Sequence, residues 1–250
     1  MTARLHETIS TQMNFKTFCR FVEFDEKDFY QSIFRHHSFQ IQNERIAIKR
    51  LKRICDATFY LANHGGFQSM TLRQLSEQSE MSMGGLYAYI SSKEELAHLI
   101  YSSLNRYCQE QMNHLIDTSE DAATQLQKVL RCHLHLSELL QPWFYFAYME
   151  ARSLNNQIQM AIESEMVMED KITQLIKQGI KEGSFNLSSD NLSLNKAKLI
   201  RLNACLIKSM LQDWYLKKSK YQRRRISVDY YADELIAMTL DHLNFLPRES

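Results

Sequence analysis

From residue 44 onward, apolar residues recur three and four positions apart over long stretches, the spacing of a helix that buries one face. Leu51, Ile54, Ala57, Thr58 and Leu61 mark the first such face, and Gly65-Gly66 stops it. A short helix follows over 71–79, with Thr71 as N-cap, Gln74 as its capping-box partner, and Leu72 and Leu75 pointing inward. Residues 78–81 make a turn. Ser82 then caps a third helix over 83–90, where Leu86 and Ile90 share a face. Ser92 with Glu95 repeats the capping box at the head of a long helix to residue 116, about 37 Å at ~1.5 Å per residue and long enough to link two domains. Further helices are predicted over 121–140, 142–154, 157–182, 194–217 and 227–246, with breaks at 183–190 and in the basic stretch 217–225.

The first 43 residues do not share this regularity. They carry Phe15, Phe18, Phe21, Phe24, Phe29, Tyr30, Phe34 and Phe39 among charged residues, too many large rings for a disordered tail, so they are expected to pack on the body. The spacing of Phe15, Phe18 and Phe21 suggests helix, whereas 38–42 alternates like an extended segment.

Composition narrows the class. With 6 Gly and 2 Pro in 250 residues, the turns that a β-sandwich or repeated βαβ units require are missing, and an all-α fold is expected. A net charge of +1 gives no general attraction to phosphate, so nucleic-acid binding would need a local basic patch. Arg45, Lys49, Arg50, Lys52 and Arg53 offer one; a solvated helix face is the plainer reading. Five scattered cysteines without C-x-x-C spacing suit free thiols in a reducing compartment. The chain shows no apolar leader at its start and no run long enough for a bilayer, so a cytoplasmic location is expected.

Catalytic patterns are absent: no phosphate loop, H-E-x-x-H or G-x-S-x-G occurs. His133 and His135 are two apart and face different ways on a helix, and Glu95 with His98 has no second Glu-x-x-His, so neither metal nor cofactor is expected. The chain reads as a non-enzyme.

Residues 54–99, ICDATFYLANHGGFQSMTLRQLSEQSEMSMGGLYAYISSKEELAHL, resemble the TetR-family DNA-binding domain without insertion or deletion. Gly66-Phe67, Met70-Thr71, Met81-Ser82, Gly84, Leu86, Tyr87, Tyr89 and Lys93-Glu94-x-Leu96 carry the likeness. Two departures stand out. The family usually has Ala-Gly where this chain has Ser79-Glu80, and a polar or basic residue at Met83. A non-Gly residue in a left-handed turn costs about 1 kcal/mol.

The resemblance implies three domains: 1–43 as an extension, 44–91 as a helix-turn-helix, and 92–250 as a helical effector-binding and dimerisation domain. It implies a ligand-responsive homodimeric repressor whose helix 83–90 enters the major groove of double-stranded operator DNA, and whose last two helices meet across the dimer. The DNA contacts so implied are Arg45, Lys49, Thr71, Ser82, Met83, Gly84, Gly85, Tyr87, Tyr89 and Lys93, with Tyr87 on a phosphate. Gly84-Gly85 lowers helix propensity by roughly 1 kcal/mol per Gly, explained either by close approach of backbone to DNA or by crowding between helices. Thr71 and Ser82 are caps in any protein, and their DNA role rests on the resemblance.

Pro142 opens a helix that Trp143, Phe144, Phe146 and Tyr148 make aromatic nearly all round. Burial accounts for part of this; Phe144, Phe146, Tyr148 and Trp214 are the expected lining of a pocket for a small apolar or amphipathic effector, with an acyl-type ligand whose anionic end lies near 217–225 as the specific expectation. Two other functions remain open: a helix-turn-helix interaction module without effector, and a helical-bundle enzyme or metal protein similar only over 54–99.

Overall fold

The segments with helical spacing are helices in the computed structural model of the chain, which describes residues 9–41, 43–150, 158–187 and 195–246, and no strand occurs among them. In chain order they are α1 (Phe15–Phe21), α2 (Glu26–His36), α3 (Glu44–Gly65), α4 (Leu72–Gln78), α5 (Met83–Tyr87), α6 (Lys93–Leu115), α7 (Ala122–Leu139), α8 (Gln141–Glu150), α9 (Ile158–Glu182), α10 (Lys196–Leu216), α11 (Lys218–Arg223) and α12 (Val228–His242). The expected ends at 151–154, 157 and 194, and residues 1–8, lie outside the described residues.

Polar caps set the helix starts. Asn14, Asp25, Asn43, Thr71, Ser82, Asp121 and Ser227 each accept from a backbone N–H in the following turn. Two expectations need correction. The helix expected over 83–90 ends at Tyr87, because Tyr89 N–H turns to Leu86 O at 2.9 Å. The basic stretch 217–225 is not simply loop: α11 forms within it, with Tyr221 buried against Trp214 and Tyr231. Among the described helices, none is long and apolar enough to cross a membrane.

Packing divides the chain elsewhere than at residue 91. One unit comprises 23–107 and 142–163, and the other 9–22, 108–141 and 164–246 of the described residues. Of the expected extension, residues 9–22 belong to one unit and residues 23–41 to the other.

In the first unit α2 packs on α3, α3 on α4, and α4 on α5. Leu51, Ile54, Cys55, Leu75, Leu86 and Ile90 form its apolar core. The rings of α8 join this unit. Trp143 meets Phe29, Tyr30 and Phe59 with centroids 4.9, 6.0 and 5.3 Å apart, and Phe146 meets Phe59 and Phe67 at 5.7 and 5.0 Å.

In the second unit α7 is buried along nearly its whole length, packed by α12, α10 and α1. Its polar side chains are paired rather than expelled: Lys128 with Glu120 at 2.6 Å, Arg131 with Asp233 at 2.6 Å, and His135 with Asp229 at 3.1 Å. Asp229 Oδ1 also accepts from Phe15 N–H at 2.7 Å, which ties α1, α7 and α12 to one oxygen. Burial pushes His135 down to about 4, against the pull of Asp229, and burial beside Lys208 lowers His133 further below the usual imidazole range.

Both imidazoles therefore fold neutral. As pH falls below about 6.5 the unfolded chain takes up protons that the folded chain refuses, so stability is full above that pH and declines towards pH 4, by at most about 1.4 kcal/mol per pH unit per imidazole. Denaturant unfolding at pH 7.5 and pH 5 should show the second unit weaker at pH 5. In His135→Gln the loss between the two pH values should shrink; an unchanged loss would remove His135 as a cause.

Candidate nucleic-acid interface

The helix-turn-helix is held by side chains that satisfy its exposed backbone ends. Thr71 Oγ1 accepts from Gln74 N–H at 3.1 Å while Gln74 Oε1 accepts from Thr71 N–H at 2.8 Å, the predicted capping box. Ser82 Oγ accepts from Gly85 N–H at 3.1 Å and starts α5. At α6, Glu95 N–H reaches Ser92 Oγ at 3.1 Å, but the Glu95 carboxylate turns back to Ser91 rather than Ser92, bonding its N–H and hydroxyl at 2.5 and 2.6 Å. Those bonds from Ser91 hold the Glu95 carboxyl below the usual range.

Between α4 and α5 the turn closes through Met81 N–H to Ser76 O at 2.9 Å and Ser76 Oγ to Met81 O at 2.6 Å. Glu80 takes a left-handed backbone with φ 52°, as a residue in the place of the family's glycine must. Arg53 reaches it from α3, donating from Nη2 to Glu80 O at 3.0 Å and to Glu80 Oε2 at 2.7 Å.

On α5 the residues divide by face. Leu86 is fully buried; Ser82, Gly84 and Tyr87 are exposed, Met83 and Gly85 are half-buried, and Tyr87 leaves 51% of its surface open. A Cβ added at Gly84 would meet nothing within 4 Å, so no neighbour in the chain requires a glycine there. At Gly85 it would meet Ser82 Oγ at 3.1 Å, crowding the cap. Crowding within the protein thus accounts for Gly85 alone.

Several expected contacts need revising. Tyr89 is only 4% exposed; its ring packs on Phe39, and the Arg50 guanidinium stands beside its buried phenol, so this ring is core. Lys93 is half-buried and donates to Gln68 O at 2.6 Å and more distantly to Phe67 O, which makes it a clasp on the turn after α3. The basic run is less free than its spacing suggests. Lys52 pairs with Glu26 at 2.6 Å and Asp56 at 3.2 Å, and Arg53 with Glu80, acids contributed by α2, α3 and the turn. Arg45 and Lys49 remain exposed, in no ion pair among the described residues.

The four rings expected to line one pocket fall in different units. Phe144, Phe146 and Tyr148 belong to the first unit, where the rings of 29, 30, 59 and 67 pack on Trp143 and Phe146. Trp214 belongs to the second, stacked on Tyr221 at 5.2 Å and bonded to Glu138. A cavity of about 610 Å³ does lie in the second unit, lined by Leu206, Ile207, Met210, Tyr221, Tyr231 and Met238 among others. No three His, Cys, Asp or Glu side chains gather as a metal site among the described residues.

The glycines generate a stability prediction. Gly84→Ala should stabilise the chain by roughly 0.5–1 kcal/mol, whereas Gly85→Ala should gain less or lose, because the added methyl presses on the Ser82 cap. Thermal unfolding of the two variants checks this; equal gains would show that the cap yields without cost.

Residues 54–100 match the model for bacterial regulatory proteins of the tetR family. Over 58 residues the chain is 40% identical to the HTH-type transcriptional repressor KstR of Mycolicibacterium smegmatis, a match that takes in 23% of this chain and 27% of that protein. The chain thus aligns with little more than a quarter of the curated relative's length. Among solved structures, a tetR-family regulatory protein from Rhodococcus RHA1 superposes with a TM-score of 0.65 at 16% identity, over 79% of this chain and 98% of the other. The transcriptional regulator FadR of Bacillus subtilis, solved with stearoyl-CoA, gives 0.58 at 16% identity over 76% and 98%. At such identity the two structures speak for the fold, and the match at 54–100 speaks for the domain that reads DNA. The chain is thus similar to the tetR family of bacterial regulatory proteins in sequence over residues 54–100 and in fold over most of its length.

Proposed function

We propose that the chain is a sequence-specific, DNA-binding transcriptional repressor that acts as a homodimer in the cytoplasm and releases its operator when a small amphipathic effector binds. The observation that carries the reading is the outer face of α5: a capped helix with its apolar residues buried, Tyr87 standing out, and open space at Gly84 where a backbone can approach a duplex. Residues 44–91 read DNA; residues 92–250 carry dimerisation and the effector. Tyr87, Thr71, Ser82, Met83, Gly84 and Gly85 line the groove-facing side, and Arg45 and Lys49 supply phosphate contacts. Lys93 acts on the DNA through the turn it clasps as much as by its charge.

Dimerisation is read from α10 and α12. Leu202 and Leu206 on α10 are 50% and 54% exposed, and Tyr230 and Met238 on α12 are 58% and 60% exposed. Large apolar side chains left open on adjacent helices, over a groove of about 610 Å³, suit a second copy of the same helices across a two-fold axis. An acyl-type effector is favoured by the likeness to FadR, whose structure holds stearoyl-CoA.

Selection of bound sequences from random DNA tests the reading, and a two-fold dimer should recover a palindromic site. Tyr87→Ala should weaken binding to selected and unrelated DNA alike, by about tenfold, with base preference unchanged. Met83→Ala should alter preference more than affinity for unrelated DNA. If no sequence is enriched and the chain binds no duplex at low salt, DNA reading is wrong.

The assembly is checked separately. Leu206→Glu and Met238→Glu should each give monomers in sedimentation, because a charge placed in an apolar contact loses its water. Leu240, half-buried in the chain, is the weaker choice. Fatty acids and acyl-CoA esters should raise the melting temperature and release the selected DNA; a compound that only binds is no effector, since the shift equals its difference in affinity between the two states.

A further inference from the structure

The turn between α4 and α5 is built around a residue in an unfavourable conformation. Glu80 has φ 52°, a region that side chains with a Cβ rarely occupy, and it is one of four such non-glycine residues among those described. Its side chain is exposed, so no burial holds it there. What does hold it is Arg53, one helix away. The guanidinium donates to the carbonyl oxygen of Glu80 at 3.0 Å and to its carboxylate at 2.7 Å, gripping backbone and side chain of the same residue.

The double grip is different in kind from a surface ion pair. A lone exposed pair has little to fix, because either partner can move away. Here a second bond reaches the peptide carbonyl, so the position of the carboxylate and the turn of the backbone are set together. That backbone aims the residues that follow: Met81 N–H closes the turn on Ser76, and Ser82 begins α5. The last helix has only Met83–Tyr87 and two of those residues are glycine, so its direction depends on how it is entered.

We infer that Arg53 is a positioning residue for DNA recognition: it clamps Glu80 in the left-handed turn and so fixes the angle at which α5 meets the groove. This rests on the DNA-binding reading given above. A direct phosphate contact is the competing role for an exposed arginine on α3, and the two roles separate cleanly. A clamp becomes unnecessary once residue 80 no longer resists the left-handed turn, whereas a phosphate contact is lost whatever residue 80 is.

Four proteins make the test: the natural chain, Arg53→Ala, Glu80→Gly, and the two substitutions together, each titrated against a DNA site selected with the natural chain at two salt concentrations. Arg53→Ala should weaken binding by about three- to tenfold, Glu80→Gly should bind close to the natural chain, and the double variant should return to the level of Glu80→Gly, with the salt slope the same in all four. A double variant as weak as Arg53→Ala, with the slope reduced by about one, would make Arg53 a phosphate contact and overturn the clamp. Full affinity in Arg53→Ala would overturn it equally. The clamp has a readout independent of DNA. Hydrogen exchange at the Met81 amide should quicken in Arg53→Ala and slow again in the double variant. If the natural chain bound no DNA but exchange followed this pattern, the clamp would stand as a feature of the turn and its role in recognition would fall; if exchange at Met81 were indifferent to Arg53, the clamp itself would fall.

Discussion

The helix-turn-helix unit depends on the packing of Trp143. Its indole is 5% exposed and touches rings from two separate stretches of chain, Phe29 and Tyr30 on α2 and Phe59 on α3. The two helices that would face DNA cannot support themselves: α4 spans Leu72–Gln78 and α5 spans Met83–Tyr87, both too short to be stable alone. They exist because α3 offers them an apolar face, and α3 is in turn held on its other side by α2 and α8. Large rings suit this task, since each removes much apolar surface from water and their edge-on contacts fix orientation.

How far the sequence reveals this depends on whether an interaction is local. Capping residues act within three positions, so Thr71 with Gln74, Ser82 and Ser92 could be assigned from spacing alone, and the structure bears out the helices they start. Gly66, with φ 80°, ends α3 where the glycine pair said it would. The partners of α8 were not legible. A helix aromatic on all sides must be buried, but periodicity does not name what buries it: Trp143 and Phe146 pack on rings of α2, α3 and the turn after α3. The division of the first 41 residues between two units was not legible for the same reason, since contacts at long separation decide which unit a segment joins.

Charge shows the same limit. Arg45, Lys49, Arg50, Lys52 and Arg53 are consecutive turns of one helix with no acid among them, yet Glu26 and Glu80 arrive from elsewhere to pair with two of them. The patch that remains is smaller and nearer the start of α3. In the second unit the neutral balance of the chain conceals Lys128, Arg131 and His135 buried on α7, each matched by an acid from Glu120, Asp233 or Asp229. A buried charge that lost its partner would be costly, so the Arg131–Asp233 pair, with the hydrogen bond between neutral His135 and Asp229, fixes which face of α12 lies on α7 even where it adds little to stability.

The means by which α5 is held affects how any loss of binding is to be understood. Its order comes from polar groups at its N-terminal end, namely Ser82 on the Gly85 amide and Arg53 on Glu80, because two glycines and a single turn provide almost none. Each of these side chains is also of a type that binds phosphate. Removing one can therefore weaken DNA binding without any contact to DNA having existed, simply by raising the entropy that α5 must lose on binding. Salt dependence separates the cases on physical grounds: a contact to phosphate releases counterions and contributes to the slope, whereas an ordering group changes affinity by the same factor at every salt concentration. Tyr87, exposed and outside this set of caps, is the side chain of α5 whose loss would act on the proposed interface and not on the fold.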